Sequence, residues 1–230
     1  MPDPLSQINR EIIVCRRCPR LVKWREKVAR EKVSRFSSCE YWGKPVPGFG
    51  DPDARILIIG LAPAAHGANR TGRMFTGDRS GEWLYGTLHK FGLANLPDSV
   101  SAGDKMKLKD CYITAVARCA PPQNKPSVSE IRNCQEYLQR ELSALRKVRV
   151  LIALGKIAFD RTLKVIEKAG VELTGQKPKF SHNAVARLSE NLTLIASYHP
   201  SQQNTFTGKL TRRMFEDVFD TAIRIAGSDK

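Results

Sequence analysis

Four cysteines of this chain fall into two pairs that could bind a metal. Cys15 and Cys18 form a C-x-x-C pair directly followed by Pro19, and Cys119 and Cys134 lie far downstream, with residues 120–133 between them. Four thiolates can hold zinc or an iron–sulfur cluster, and the spacing alone does not separate the two. The alternative for Cys134 is a small core residue on a helix.

Disulfides are a weaker explanation for the six cysteines of the chain. The N-terminus lacks the basic start and apolar stretch of a secretory signal, so we expect a cytoplasmic protein. In a reducing compartment, clustered cysteines bind metal more often than they form disulfides. Cys39 and Cys111 lie outside the two pairs, and we interpret them as structural thiols.

The charge balance indicates a polyanionic partner. Lys and Arg number 38 against 23 Asp and Glu, for a net charge of +15, and nucleic acid is the usual partner of such a basic protein. Charge does not distinguish DNA from RNA, or an enzyme from a binding protein.

No apolar run is long enough for a membrane span. We expect one domain over residues 1–230, monomeric, in which residues 1–50 form a basic N-terminal segment.

Short apolar runs rich in β-branched residues predict buried parallel strands. The four runs are Arg55–Gly60, Cys111–Val116, Val148–Leu154 and Leu192–Ser197. Helical patterns alternate with them: Leu21–Arg35, Glu82–Phe91, a helix that starts at the capping box of Ser127, and Leu210–Ile225. This alternation predicts an α/β three-layer sandwich, with a central four-stranded, mainly parallel sheet flanked by helices. Sites in such sheets form at the carboxyl ends of the strands.

Three long segments at these strand ends resemble the motifs of family five (type-b) uracil-DNA glycosylases, the iron–sulfur branch of that superfamily. Residues 60–78 (GLAPAAHGANRTGRMFTGD) resemble the first active-site motif. Residues 118–126 (RCAPPQNKP), continuing to Cys134, resemble the cluster-binding loop, and residues 198–205 (YHPSQQNT) with 207–210 (TGKL) resemble the last motif. The resemblance runs from Cys15 to about Met214. It implies an enzyme that hydrolyses the N-glycosidic bond of uracil, and of other deaminated bases, in DNA to initiate base excision repair.

The resemblance also assigns the cysteines. It implies a [4Fe–4S] cluster held by Cys15, Cys18, Cys119 and Cys134, with a structural rather than a redox role. The chain departs from other branches of the superfamily at the end of the first strand. Those branches place Asp, Asn or Glu where this chain has the apolar pair Leu61 and Ala62, and an Asn where Ala115 stands. Fewer fixed polar groups predict looser selection of the base.

Within the motifs we predict two catalytic side chains. His199 would donate a hydrogen bond to the base oxygen that becomes negative as the bond breaks; the alternative is a packed histidine. Asp78 would position water or stabilise a cationic sugar; the alternative is an N-cap for the following helix.

The base itself must be drawn out of the duplex into a pocket. Phe75 is the predicted stacking platform, or alternatively a core aromatic. Backbone amides after Gly60, at Leu61 and Ala62, would hold the pyrimidine carbonyls. Asn124 would bind base or water, although an asparagine in a loop commonly forms a turn.

A second group of residues is predicted to contact the DNA backbone and groove. Ser201 and the loop through Asn204 would approach the groove, and Lys209, Arg212 and Arg213 would bind phosphates. The alternative for the three cations is an exposed basic helix start.

Two other functions fit part of the sequence. A non-catalytic nucleic-acid-binding protein with a four-cysteine metal site accounts for the charge and the cysteines, but not for the long first motif. An iron–sulfur nuclease would need several acidic residues at the strand ends, where only Asp78 stands out.

Overall fold

The central sheet contains the four predicted strands and two more. The computed structural model describes residues 3–171 and 177–227. In that part of the chain the strands are β1 (Phe49–Gly50), β2 (Ile56–Gly60), β3 (Cys111–Ala115), β4 (Val150–Leu154), β5 (Val185–Ser189) and β6 (Leu192–Ser197). They are arranged in the order β1-β3-β2-β4-β6-β5.

The predicted runs form the parallel centre of this sheet, in the order β3-β2-β4-β6. The added strands β1 and β5 pair antiparallel at the two edges, so the prediction of four strands was too few. The reason lies in their sequences. β1 has only two residues, and β5 alternates exposed and partly buried positions around Arg187, so neither forms a buried apolar run.

The helices are α1 (Pro4–Ile13), α2 (Pro19–Glu31), α3 (Ala68–Thr71), α4 (Arg79–Lys90), α5 (Val128–Ala144), α6 (Lys156–Lys168), α7 (Gln202–Phe206) and α8 (Arg212–Gly227). α2 ends at Glu31 instead of the predicted Arg35, because Lys32 has a φ of 55° that a right-handed helix does not contain. The capping box of α5 is present. Ser127 Oγ accepts from the Glu130 amide at 3.2 Å, and the Ser127 amide donates to the Glu130 carboxylate at 2.7 Å.

Alternate residues of β2 build the two sides of the core. Ile56 and Ile58 pack with apolar residues of α4 and α8, whereas Leu57 and Ile59 pack with those of α5 and α6. The predicted three-layer α/β sandwich is therefore confirmed. Among the described residues, no helix combines the length and the apolar character needed to cross a membrane. The carboxyl ends of the four parallel strands meet at one edge of the sheet, where the three motifs follow β2, β3 and β6.

Candidate base-binding pocket and cysteine cluster

Two aromatic rings meet at the carboxyl ends of β2 and β6. The rings of Phe75 and His199 stack with centroids 5.9 Å apart and planes 28° from parallel, and both residues are half-buried. The phenyl ring also lies on Gly60, where an added Cβ would come 2.8 Å from Phe75 Cζ. Only a glycine at the end of β2 leaves room for this ring, so the strand end and the aromatic face form one surface.

The backbone of Phe75 is strained. Its φ of 53° is left-handed, which for a bulky side chain costs about 1–3 kcal/mol. The neighbouring turn holds it there: Gly72 and Gly77 have φ of 80° and 77°. The carbonyl oxygen of Phe75 is pressed against Gly81, where an added Cβ would lie only 1.8 Å away. Strain of this kind is characteristic of positions whose side chain must point in one direction for function.

His199 is held through its backbone, which leaves its ring free to interact with a ligand. The His199 carbonyl accepts hydrogen bonds from the Ser201 amide at 2.8 Å and from Asn204 Nδ2 at 2.9 Å. Within the described part of the chain, no hydrogen bond reaches the imidazole. Loss of solvent lowers the pKa of His199 to about 4, so the ring is neutral at pH 7 and offers one N–H donor and one acceptor nitrogen.

Asp78 both caps a helix and faces the first-motif loop. Its Oδ1 accepts from the Gly81 amide at 3.0 Å, at the start of α4. Its Oδ2 lies against Gly67, where an added Cβ would be 2.1 Å away. Loss of solvent raises the pKa of this carboxyl because burial disfavours its charged form. The capping geometry therefore occupies one oxygen and leaves the other at the loop.

The remaining candidates for base binding differ in their exposure to solvent. Leu61 and Ala62 are half-buried directly after Gly60, and the Leu61 carbonyl accepts from the Ala117 amide at 2.9 Å. Asn124 is exposed in a turn with a φ of 56°. In the described ranges its side chain makes no hydrogen bond.

The segment after His199 presents cations and one exposed aromatic ring. Lys209, Arg212 and Arg213 are exposed, and the Arg212 guanidinium lies 4.2 Å above the ring of Trp83. Phe206 is 67% exposed, a large apolar side chain at the tip of this segment. Ser201 caps α7 by accepting from the Asn204 amide at 3.4 Å. The Asn204 side chain supports His199 from within rather than projecting outward.

Ion pairs hold the cysteine-bearing segments together. Arg20 of α2 donates from Nε and Nη2 to the carboxylate of Glu130 in α5, at 2.8 and 2.6 Å. Cys18, at the start of α2, is thereby placed near α5, which carries Cys134. The four predicted ligands are called the cysteine cluster below. Of these, Cys18, Cys119 and Cys134 are buried, Cys15 is half-buried, and all four thiols are free.

A buried cation beside these thiols has one donor nitrogen without an acceptor. Arg25 is 2% exposed and donates from Nη1 to Cys119 Sγ at 3.1 Å, while its Nε has no hydrogen-bond partner among the described residues. A buried donor without an acceptor, on a side chain that contacts one of the four cysteines, fits a sulfur-rich anionic group. Within residues 3–171 and 177–227, no three His, Cys, Asp or Glu side chains are grouped tightly enough to hold one metal ion.

Sequence reasoning missed Arg25, although α2 contains a signal for it. The buried positions of α2 are Leu21, Val22, Arg25 and Val28. Arg25 is thus a charged residue on the apolar face of an amphipathic helix, which requires a buried partner. Asn204 was expected to contact DNA, and its bond to the His199 carbonyl has no counterpart in any sequence pattern.

A mainly parallel α/β sheet with two stacked aromatic rings at its carboxyl edge, exposed cations on the segment that follows and four cysteines on neighbouring segments fits the class of α/β enzymes that act on nucleic acid. Residues 47–222 match the family model of the uracil DNA glycosylase superfamily, and the chain belongs to that superfamily.

Individual relatives place the chain within the superfamily. A type-5 uracil-DNA glycosylase of Mycobacterium leprae is 50% identical over 97% of this chain and 96% of its own length. A type-5 enzyme of Thermus thermophilus is 50% identical over 94% and 95%. A type-4 uracil-DNA glycosylase of Archaeoglobus fulgidus is 28% identical over 86% and 82%. The similarity to type-5 relatives confirms the predicted family.

Proposed function

We propose that this chain is a uracil-DNA glycosylase that hydrolyses the N-glycosidic bond of uracil, and of other deaminated bases, in DNA. The observation that carries the proposal is the neutral imidazole of His199, stacked on Phe75 at a strand end that only glycine permits. A planar base fits against an aromatic face, and a neutral N–H donor suits an oxygen that gains charge during the reaction.

Recognition of the base would rest on shape and backbone groups. An extruded uracil stacks on Phe75, and its carbonyl oxygens meet backbone amides of Leu61 and Ala62. The side chains of these two residues offer no hydrogen bond, and neither does the buried Ala115 of β3, which pairs in register with Gly60. A pocket with few polar side chains excludes other bases weakly, and this supports a range of deaminated substrates.

The proposed reaction breaks the C1′–N1 bond, and the bonding electron pair leaves with the base. His199 donates its N–H to a base oxygen and stabilises the resulting anion. A water oxygen bonds to C1′ and its proton passes to Asp78, whose raised pKa makes its carboxylate a better proton acceptor. The base anion takes up a proton from solvent as it leaves and Asp78 releases the proton that it accepted, so the products are the free base and an abasic sugar. Asn124 remains a proposed contact to the base or to water.

DNA would lie across the segment after His199. Lys209, Arg212 and Arg213 neutralise phosphates, while Ser201 and Asn204 order the loop that carries them towards the groove. Replacing the three cations together with Gln should weaken binding to all sequences by a similar factor and flatten the salt dependence of the affinity. The measurement is the dissociation constant at several salt concentrations. An unchanged salt slope would place the DNA surface on the basic helix α2 instead.

We propose that Cys15, Cys18, Cys119 and Cys134 hold a [4Fe–4S] cluster in this protein. The unpartnered donor of Arg25 supports an anionic group, and the likeness of residues 118–134 to a cluster-binding loop supports an iron–sulfur cluster over a zinc ion. When bound, the cluster cross-links α2 and α5 to the loop after β3. Thiolate ligation of this kind suits a reducing compartment, in agreement with a cytoplasmic enzyme.

Base excision is tested directly with labelled oligonucleotides that contain uracil, hypoxanthine or mismatched thymine. Incubation followed by alkaline cleavage of abasic sites should give strand breaks at uracil, in single-stranded or double-stranded DNA. The matched control carries cytosine at the same position and should stay intact. Tight DNA binding without any abasic product would instead support the non-catalytic binding protein.

A further inference from the structure

His182 is a second histidine near the pocket that the proposed reaction does not use. It lies in the turn just before β5 and is half-buried. The Tyr198 amide donates to His182 Nδ1 at 3.1 Å, and His182 Nε2 lies 3.0 Å from the carbonyl oxygen of Met214. Tyr198 immediately precedes His199, and Met214 lies in the first turn of α8.

These two contacts define the protonation of the ring. A backbone amide only donates and a backbone carbonyl only accepts, so Nδ1 must be bare and Nε2 must carry the proton. The ring also stacks on Tyr198, with centroids 5.0 Å apart. His182 is thus a neutral imidazole whose two nitrogens are both hydrogen-bonded to backbone groups, one of Tyr198 and one of Met214 in α8.

The backbone segment around His199 is therefore held by side chains on both sides. His182 holds the amide of the residue before it, and Asn204 holds the carbonyl of His199 itself, at 2.9 Å. The contact of His182 with the Met214 carbonyl links this backbone segment to the N-terminal turn of α8, which begins at Arg212. A side chain in this place can transmit the position of the phosphate-binding helix to the imidazole.

We propose that His182 is a positioning residue that sets the direction of the His199 ring and couples it to α8. The proposal rests on the catalytic role proposed for His199. Misplacing a reacting group by about 1 Å costs on the order of a hundredfold in rate, so a change at His182 should be visible in the rate of base excision even though its ring never touches the base.

Two isosteric substitutions separate the two contacts. In His182→Asn, the amide can place an oxygen where Nδ1 was, which keeps the bond to Tyr198 and loses the bond to Met214. In His182→Gln, the amide nitrogen can replace Nε2, which keeps the bond to Met214 and loses the bond to Tyr198. His182→Gln should excise uracil at least roughly tenfold more slowly in single turnover, with DNA affinity retained. His182→Asn should keep most of the rate and lose affinity several-fold.

A double variant gives a readout that a merely structural role would not produce. If His182 acts through His199, His182→Gln should slow the His199→Ala variant little further, whereas independent effects multiply. His89→Gln, on the exposed surface of α4, is the matched control and should match the wild type. Thermal unfolding checks that each variant is folded.

The outcomes separate the two proposals. A wild-type single-turnover rate in His182→Gln overturns the positioning role. If His182→Gln does not fold, His182→Asn decides. A rate of excision by His182→Asn as low as that of His199→Ala contradicts the role assigned to the Tyr198 contact. A retained rate together with weakened DNA binding supports the coupling to α8. If His199→Ala itself excises uracil normally, the proposed function of His199 fails before the question of its positioning arises.

Discussion

The pocket and the cysteine cluster achieve order in different ways. In the pocket, close approaches between backbone and side chain fix the geometry: Phe75 sits on Gly60, and its carbonyl presses on Gly81. In the cysteine cluster, charges fix it: Arg20 pairs with Glu130, and Arg25 is buried beside Cys119. The first region is complete without any ligand. The second contains a buried cation whose hydrogen bonds, within the described residues, are incomplete.

This difference predicts how each region responds to damage. Removing a functional group from the pocket should change chemistry more than folding, because its supports are glycines and main chain. Removing a thiol from the cysteine cluster should change folding more than chemistry, because binding of the proposed iron–sulfur cluster would be coupled to folding.

The largest effect is expected from the cysteines. Cys119→Ser or Cys134→Ser should give poorly soluble protein with little iron or sulfide, because each change removes one of the four thiolates proposed to hold the cluster. Cys39→Ser is the matched control, since Cys39 is half-buried outside the cluster, and should be mild. Iron and acid-labile sulfide in the wild type should be equal. Stoichiometric zinc without sulfide, in protein prepared without air, would reject the cluster.

The next effect concerns the donor in the pocket. His199→Ala should lower the single-turnover rate of uracil excision by about a hundredfold or more, as expected for one preorganised donor. DNA affinity should change little, because the phosphate contacts remain. The rate is measured after confirming that the iron content is unchanged. Wild-type excision by this variant would show that another group, Asp78 or Asn124, stabilises the leaving base.

Gly60→Ala tests whether the aromatic face depends on the strand end. The new methyl group would meet Phe75 Cζ at 2.8 Å, so the ring must move, at a typical cost of about 1–3 kcal/mol. We expect a folded protein with a clearly weaker ability to excise uracil. Gly103→Ala is the control, because nothing lies within 4 Å of its added Cβ. Unchanged excision by Gly60→Ala would show that base binding does not depend on the position of the Phe75 ring.

The smallest effect concerns stability and pH at Asp78. Because burial raises the pKa of Asp78 in the folded state, the folded protein binds this proton more tightly, and the stabilisation is lost as pH rises through that pKa. Asp78→Asn keeps a capping side chain and removes the buried charge. Its melting temperature should therefore exceed that of the wild type at pH 7, and the gain should shrink towards acidic pH. Excision of uracil by this variant should also fall. A lower melting temperature than that of the wild type at pH 7 would show that the carboxylate has an unrecognised partner.

Much of this fold could be predicted because its strands are buried on both faces. Four apolar runs indicated the parallel centre, and the capping box at Ser127 indicated the start of α5. The edge strands could not be found this way, because β1 is two residues long and β5 is half polar. In the site, the motifs indicated which residues to consider, but not which of them are hydrogen-bonded to one another. The bond from Asn204 to the His199 carbonyl and the two contacts of His182 join residues through backbone atoms, which a side-chain pattern does not encode.

The edge strands have a consequence for the behaviour of the protein in a crowded solution. An exposed edge of a sheet is a template for pairing with another copy, and natural proteins shorten, bend or charge such edges to prevent aggregation. β1 ends one side of the sheet after two residues, and β5 ends the other with Arg187 and an irregular register between Arg187 and Ser189. The central strands, which are the most apolar part of the chain, are thereby shielded from pairing with strands of neighbouring molecules.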